Sequence, residues 1–344
     1  MLACARAVGN GVEQLTRWKR SPKHMGMRAR PWVWALLVSW ALGFGQARQR
    51  ETLPSAASRQ GQSAAPGVAG EAGRSPATGP KSTLSADQIK DLVRLAAEKD
   101  IENDKKQRDY TYIEREEEHK LNGKGQVTST EVKTYEIMEI DGEGVRRLIA
   151  KNDQPLSAKD AAKEEAKIQK IIDKRKNESE SDRDKRLKRE EKEREQGRQF
   201  VKEVAEAYNF TLAGVEDLAG RETYAIDAEP RPGYEPHQKE AKLLPKFRFR
   251  VWIDKAESQW VKLDAECIDT VSIGLFLARI HKGSRVLIQA TRVNDEVWLP
   301  QHIAVHVDGR LALLKGFSFD ADLTYKDYKK FRATTRILGI GKTK

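Results

Sequence analysis

The sequence predicts a mainly β protein of α+β class, built on a large antiparallel sheet and interrupted by a long charged helical insertion. Two observations carry this. Through residues 247–307 apolar and polar residues alternate: Phe247, Phe249, Val251 and Ile253 fall on one parity, Arg248, Arg250 and Asp254 on the other. Period two is the signature of strands that bury one face. The joints between these runs carry turn residues, Asp254-Lys255-Ala256-Glu257, Lys282-Gly283-Ser284, Asn294-Asp295-Glu296 and Asp308-Gly309, so successive hairpins are expected.

The 344 residues include 63 Lys and Arg against 52 Asp and Glu, a net charge of +11, and the charges concentrate near the middle of the chain. The two cysteines, Cys4 and Cys267, are too few for a disulfide framework. Cys267 lies at an apolar-parity position and is expected as a small core side chain.

In chain order, residues 25–47 have the make-up of a secretory signal. Arg28 and Arg30 precede an apolar run over 32–44, and Gly45-Gln46-Ala47 supplies small residues for cleavage. The run is shorter than the roughly 20 residues of a membrane span. Residues 1–24 resemble neither signal nor domain, so Met25 or Met27 is the expected start. Residues 48–84 are rich in Ala, Gly, Ser, Pro and Gln, the composition of a flexible tether. A β domain is expected over 85–338, with its helical insertion at 157–208.

That domain opens with Ser85-Ala86-Asp87-Gln88, a capping-box pattern, followed by Ile89, Leu92, Val93 and Ala96 at helical spacing. Three strands follow, at 109–121, 127–140 and 145–151. The acidic patch Glu114 to Glu118 implies a solvated hairpin tip. Ser157 and Asp160 start a second helix with an apolar stripe through Ile168, Ile171 and Ile172. From 173 to 198 charges of both signs dominate, either a solvated helix or a partly disordered stretch. Acids and bases nearly balance there, which argues against nucleic-acid binding. Phe200, Val201, Val204, Ala205 and Tyr208 then restore an apolar face. Strands resume at 210–217 and 222–229 and run to the last, near Tyr325, for about ten strands and two helical segments in all.

Catalytic chemistry does not emerge. His302 and His306 have zinc-helix spacing but sit on a strand, where about 3.3 Å per residue puts the rings roughly 13 Å apart, too far for one ion. Gly339-Ile340-Gly341-Lys342-Thr343 lacks the earlier glycine of a phosphate loop, since Arg336 stands there. Asp264, Glu266 and Asp269 fit a solvated strand face better than an acid–base pair. Asn177-Glu178-Ser179 and Asn209-Phe210-Thr211 match glycosylation acceptors, relevant only in a eukaryotic secretory pathway. No catalytic residue, metal site or cofactor is expected, and the reading is non-enzymatic.

The segments FRVWIDKAESQWVKLDAE (249–266) and TRVNDEVWLPQHIAV (291–305), after a signal, an amphipathic helix and a few strands, resemble the LolA/LolB-like superfamily of periplasmic lipoprotein carriers. The resemblance implies an antiparallel sheet curled into an incomplete barrel, with helices covering its concave side. It implies a secreted periplasmic protein that binds a lipid or a lipoprotein acyl chain in an apolar cavity. Val261, Leu263, Leu299, Ile303 and Val305 are the candidate lining, with Leu275 and Phe276 at a rim able to touch a membrane peripherally or else in a strand buried on both faces. The charged helix is a candidate surface for an envelope protein partner. The alternative is a partner-binding or stress-regulatory module of the same fold, with a self-filled core.

Overall fold

The computed structural model describes residues 84–107, 109–140, 143–273, 278–311 and 315–330. The expected signal and tether, the rim residues Leu275 and Phe276, and the C-terminal glycine pair lie outside the described residues.

Helix α1 (Ala86–Gln107) begins with the capping box that its sequence predicts. Gln88 accepts from the Ser85 amide at 2.8 Å, and Ser85 accepts from the Gln88 amide at 3.2 Å. Strands β1 (Tyr110–Leu121), β2 (Val127–Ile140), β3 (Glu143–Lys151) and β4 (Gln154–Pro155) form a first meander. Helix α2 (Ala158–Lys176) starts at Ser157, whose hydroxyl accepts from the Asp160 amide, and packs against β3. Helix α3 (Glu180–Ala207) restarts at Ser179 in the same way, so the charged stretch is helical. It is held along its length by short-range pairs such as Arg198–Glu195 at 2.6 Å.

A second run of strands follows. These are β5 (Tyr208–Leu218), β6 (Arg221–Pro230), β7 (Phe247–Asp254), β8 (Trp260–Cys267), β9 (Val271–Ile273), β10 (Ala278–Ile280), β11 (Arg285–Val293), β12 (Val297–Leu311) and β13 (Lys315–Lys330). A 3₁₀ helix, Glu240–Lys246, precedes β7. The described residues thus hold thirteen strands and three α-helices, more than the sequence delimits, because short strands such as β4 and β9 carry no periodicity of their own.

The strands make one antiparallel sheet in the order β4-β3-β2-β1-β13-β12-β11-β8-β7-β6-β5, with the β9–β10 hairpin attached beside β12. β4 and β5 remain as edges, so the sheet curls but does not close into a barrel, and helices cover its concave side. Consecutive hairpins account for most pairings. Three pairings are not hairpins: β8 with β11, β10 with β12, and the one that joins the two runs, in which β1 lies beside β13 with Glu114 opposite Tyr325 and Glu118 opposite Ala321.

Registers align apolar residues in rows across the concave face. Ile226, Val251, Leu263, Ile288, Ile303 and Leu323 stand directly opposite one another from β6 to β13. Ala228, Phe249, Ala265, Val286, Val305 and Ala321 form the next row. Ile89, Val93 and Ala96 of α1 and Val204 and Ala205 of α3 complete this main core, which also buries Cys267 as expected. The other face is solvated and carries cross-strand ion pairs, including Arg250–Asp227, Arg285–Asp264 and Arg248–Glu266. The two histidines of β12 lie there too, each against a carboxylate: His302 on Asp322 and His306 on Asp320, both at 2.6 Å.

Gly309 is where the sheet is tightest. A Cβ there would meet the Arg279 carbonyl oxygen at 2.5 Å and the Phe317 ring at 2.6 Å. Gly309→Ala should therefore destabilise the protein by about 1–3 kcal/mol, the usual cost of overpacking, measured as a lower urea midpoint with unchanged slope.

Candidate functional site

The apolar floor and the helix above it form the candidate site. α1 lies over the floor by its apolar stripe and is tied at its C-terminal half by polar bonds. The Trp260 indole N–H donates to the Asp100 carboxylate at 2.7 Å. Asn103 brackets the backbone of Trp298, accepting from its amide at 2.7 Å and donating to its carbonyl. α3 is tied down separately. Buried Glu203 accepts from the Tyr234 hydroxyl at 2.5 Å, the His237 amide at 2.5 Å and the Gln238 side chain at 3.0 Å. These four acceptor contacts of Asp100 and Glu203 satisfy carboxylates that burial would otherwise penalise.

The structure brings together only some of the candidate lining residues. Leu263, Ile303 and Val305 share the main core with α1. Val261 does not. Trp252 faces Lys262 while Ile253 faces Trp260, so Val261 is an extra residue at a β-bulge. It turns to the group of Ala225, Trp252 and Trp298 instead. Simple parity placed Val261 beside Leu263, and the bulge overrides it. A second register shift, between Gln289 and Ala290, leaves Gln301 unpaired on β12. Leu299 packs beyond it with Tyr110 and Val297 in a third, small group.

The tryptophan group explains the chemistry of the W-I-D segment. Asp254 Oδ1 accepts from the amides of Ala256 and Glu257 at 3.0 and 2.8 Å, closing the turn. Its carboxylate also takes a two-pronged bond from Arg221 at 2.7 and 3.0 Å. Burial pushes the Asp254 carboxyl up, but Arg221 and the turn amides outweigh it and hold it below the ordinary carboxylate range. Trp252 and Trp298 donate to Glu216 and Glu257. This is a structural turn with every partner in place.

The acidic patch on β1 is not a solvated tip. Glu114, Glu116 and Glu118 alternate onto the concave face and are all buried, because β1 runs beside β13 rather than projecting. Arg146 of β3 binds Glu114 and Glu116, the latter at 2.9 Å, with its guanidinium 3.8 Å from the Tyr135 ring centroid. Tyr112 packs against Tyr325 and Tyr328 beside them. Glu118 is 5% exposed, and burial pushes its carboxyl up to about 8. One signal in the sequence pointed here: these glutamates share the parity of Tyr110 and Tyr112. Nothing local marked Asp100 and Asn103 as ties for α1, since their partners are on β8 and β12.

Among the described residues no cluster of three metal-ligating side chains occurs, and no helix is long and apolar enough to cross a membrane.

No protein-family model matches the sequence, and no curated protein matches it significantly. Several solved structures are similar. A proposed outer membrane lipoprotein-sorting protein domain from Vibrio parahaemolyticus shares 13% identity over 70% of this chain and 96% of its own, with a TM-score of 0.29. A DUF1329 family protein from Desulfovibrio piger shares 13% over 72% and 95%, with a TM-score of 0.30. A LolA superfamily protein from Nitrosomonas europaea shares 12% over 73% and 95%, with a TM-score of 0.23. At these values none of them carries a ligand or an activity across to this protein.

The raised Glu118 carboxyl makes stability depend on pH. Its folded pKa, about 8, exceeds the ordinary 4.5, so its contribution is fully present below about pH 4.5 and is lost as pH rises toward 8. Glu118→Gln should remove that loss. In urea melts, the variant's stability relative to wild type should climb between pH 5 and 8 and level off above.

Proposed function

We propose that this protein binds the acyl chain of a lipid or lipoprotein on the concave apolar face of its open sheet, with α1 as a movable cover, and without covalent chemistry. The observation that carries this is the cover itself. The two apolar rows of the floor meet α1 through Ile89, Val93 and Ala96, while the helix is pinned at one end by Asp100 and Asn103. Burying Ile89 and Val93 is worth about 1.5–3 kcal/mol each. An acyl chain offers about 0.8 kcal/mol per buried methylene, so one of ordinary length can displace that stripe. The sheet would keep all its own pairings as the helix lifts.

Residues 25–47 support a setting across the inner membrane, in the periplasm. The charged half of α3, which buries little, is the surface we assign to an envelope partner. A second reading has one observation in its favour. Leu263, Ile303 and Val305 are all buried by the chain's own side chains, as a self-filled partner-binding module requires.

The two readings separate by extraction. Protein purified from an envelope fraction without detergent should yield about one acyl chain or lipid per molecule in organic extracts analysed by mass spectrometry. The double variant Asp100→Asn, Asn103→Ala should take up a fluorescent fatty acid several-fold faster than wild type, by loss of charge-assisted and amide bonds worth roughly 1 kcal/mol each. An empty protein that also ignores the probe would be a self-filled module.

A further inference from the structure

The concave face changes character at β1. The row that runs through Ala265, Val286, Val305 and Ala321 continues on β1 as Glu118. At about 4.8 Å per strand, this carboxylate is roughly 10 Å from Val305 and is the first charge met on leaving the apolar floor. Its neighbours Glu114 and Glu116 share Arg146. The Glu118 carboxyl group has no hydrogen bond or ion pair among the described residues, although the residue is only 5% exposed. A carboxylate in such a place costs several kcal/mol unless something pairs with it.

We propose that Glu118 is the counter-ion for a cationic amine head group, so that the ligand is an amphiphile whose chain lies on the apolar floor and whose ammonium meets β1. The proposal rests on the acyl-chain reading above and adds the head group to it. The surrounding charges favour one extra cation. Across the strand pairs Glu118 faces Glu131, and Glu116 faces Lys133. Lys133 is already on Glu131 at 2.8 Å. While Glu118 holds its proton, Glu114, Glu116 and Glu131 face Arg146, Lys133 and Lys120. Once ionised, Glu118 is a fourth carboxylate with no cation of its own, so loss of its proton calls for one. A metal ion is a poorer fit, since the described residues offer no cluster of three ligands. Arg146 over the Tyr135 ring shows that the same wall already accommodates one delocalised cation. Because the Glu118 carboxyl titrates near 8, an arriving ammonium at pH 7 would displace its proton.

The test is calorimetric titration of the full chain with dodecylammonium, dodecyl maltoside and laurate, each below its micelle concentration, at pH 7 in two buffers of different ionisation enthalpy. Dodecylammonium should bind about tenfold more tightly than the maltoside, the worth of one charge-assisted bond, with proton release to the buffer. Laurate should bind least well. Glu118→Gln, nearly isosteric, should keep the maltoside affinity and lose both the preference for ammonium and the proton release. Equal binding of all three by wild type, or an unchanged preference in the variant, would overturn the head-group assignment and leave the acyl-chain reading standing. If none of the three binds, the acyl-chain reading falls and the head group with it.

Discussion

The pairing of β1 with β13 is the constraint on which the rest of this structure depends. It joins the four-strand meander β1–β4 to the larger sheet of β5–β13, so that the meander shares a surface with the main apolar core and does not stand alone. The joint makes a single curled surface wide enough to need a cover. It also sets a row of carboxylates beside an apolar floor. With β4 and β5 left as edges, the sheet cannot close on itself. The helices therefore complete the core from outside the sheet, α1 from before the first strand and α3 from between the two runs.

The concave face is consequently two environments in one surface. From β6 to β13 the rows are aliphatic and aromatic, and their stability comes from non-directional burial. At β1 to β3 the same rows become glutamate, arginine and tyrosine, whose stability depends on finding partners. Arg146 resolves two of the three carboxylates there. In the proposed reading this boundary meets the two ends of an amphiphile. The polar ties of α1 belong to the same logic. In the proposed reading, a cover held by Asp100 and Asn103 is released by local exchange of hydrogen bonds, which a cover knitted into the sheet could not be.

Much of this was legible in the residues. The capping box at Ser85, the N-cap at Ser157, the turn at Asp254, the buried thiol of Cys267 and the outward histidines of β12 are local matters. Each is decided by a few adjacent side chains, and each is found where the pattern puts it. Parity failed where the backbone departs from simple alternation. Val261 has the apolar spelling of a floor residue, but one extra residue in β8 turns it to the tryptophans. Leu299 lies past a second such shift. A bulge leaves little trace in hydropathy, so no counting of odd and even positions could have found either. The glutamates of β1 misled for another reason. Acidic residues on a hairpin normally mean solvent, and their burial depends on an arginine from β3 and a neighbouring strand near the C-terminal end of the chain.

The sequence alone thus determined the main strands, the helix starts at Ser85 and Ser157, and which face of most central strands is apolar. Those follow from periodicity and capping, which act over a few residues. Only the tertiary structure decided that β1 lies against β13, that the floor ends in carboxylates, and that α1 and α3 cover it together. Pairing between distant strands is selected by the fit of whole faces and by the closing of long loops. Neither quantity is written in any single stretch of the chain.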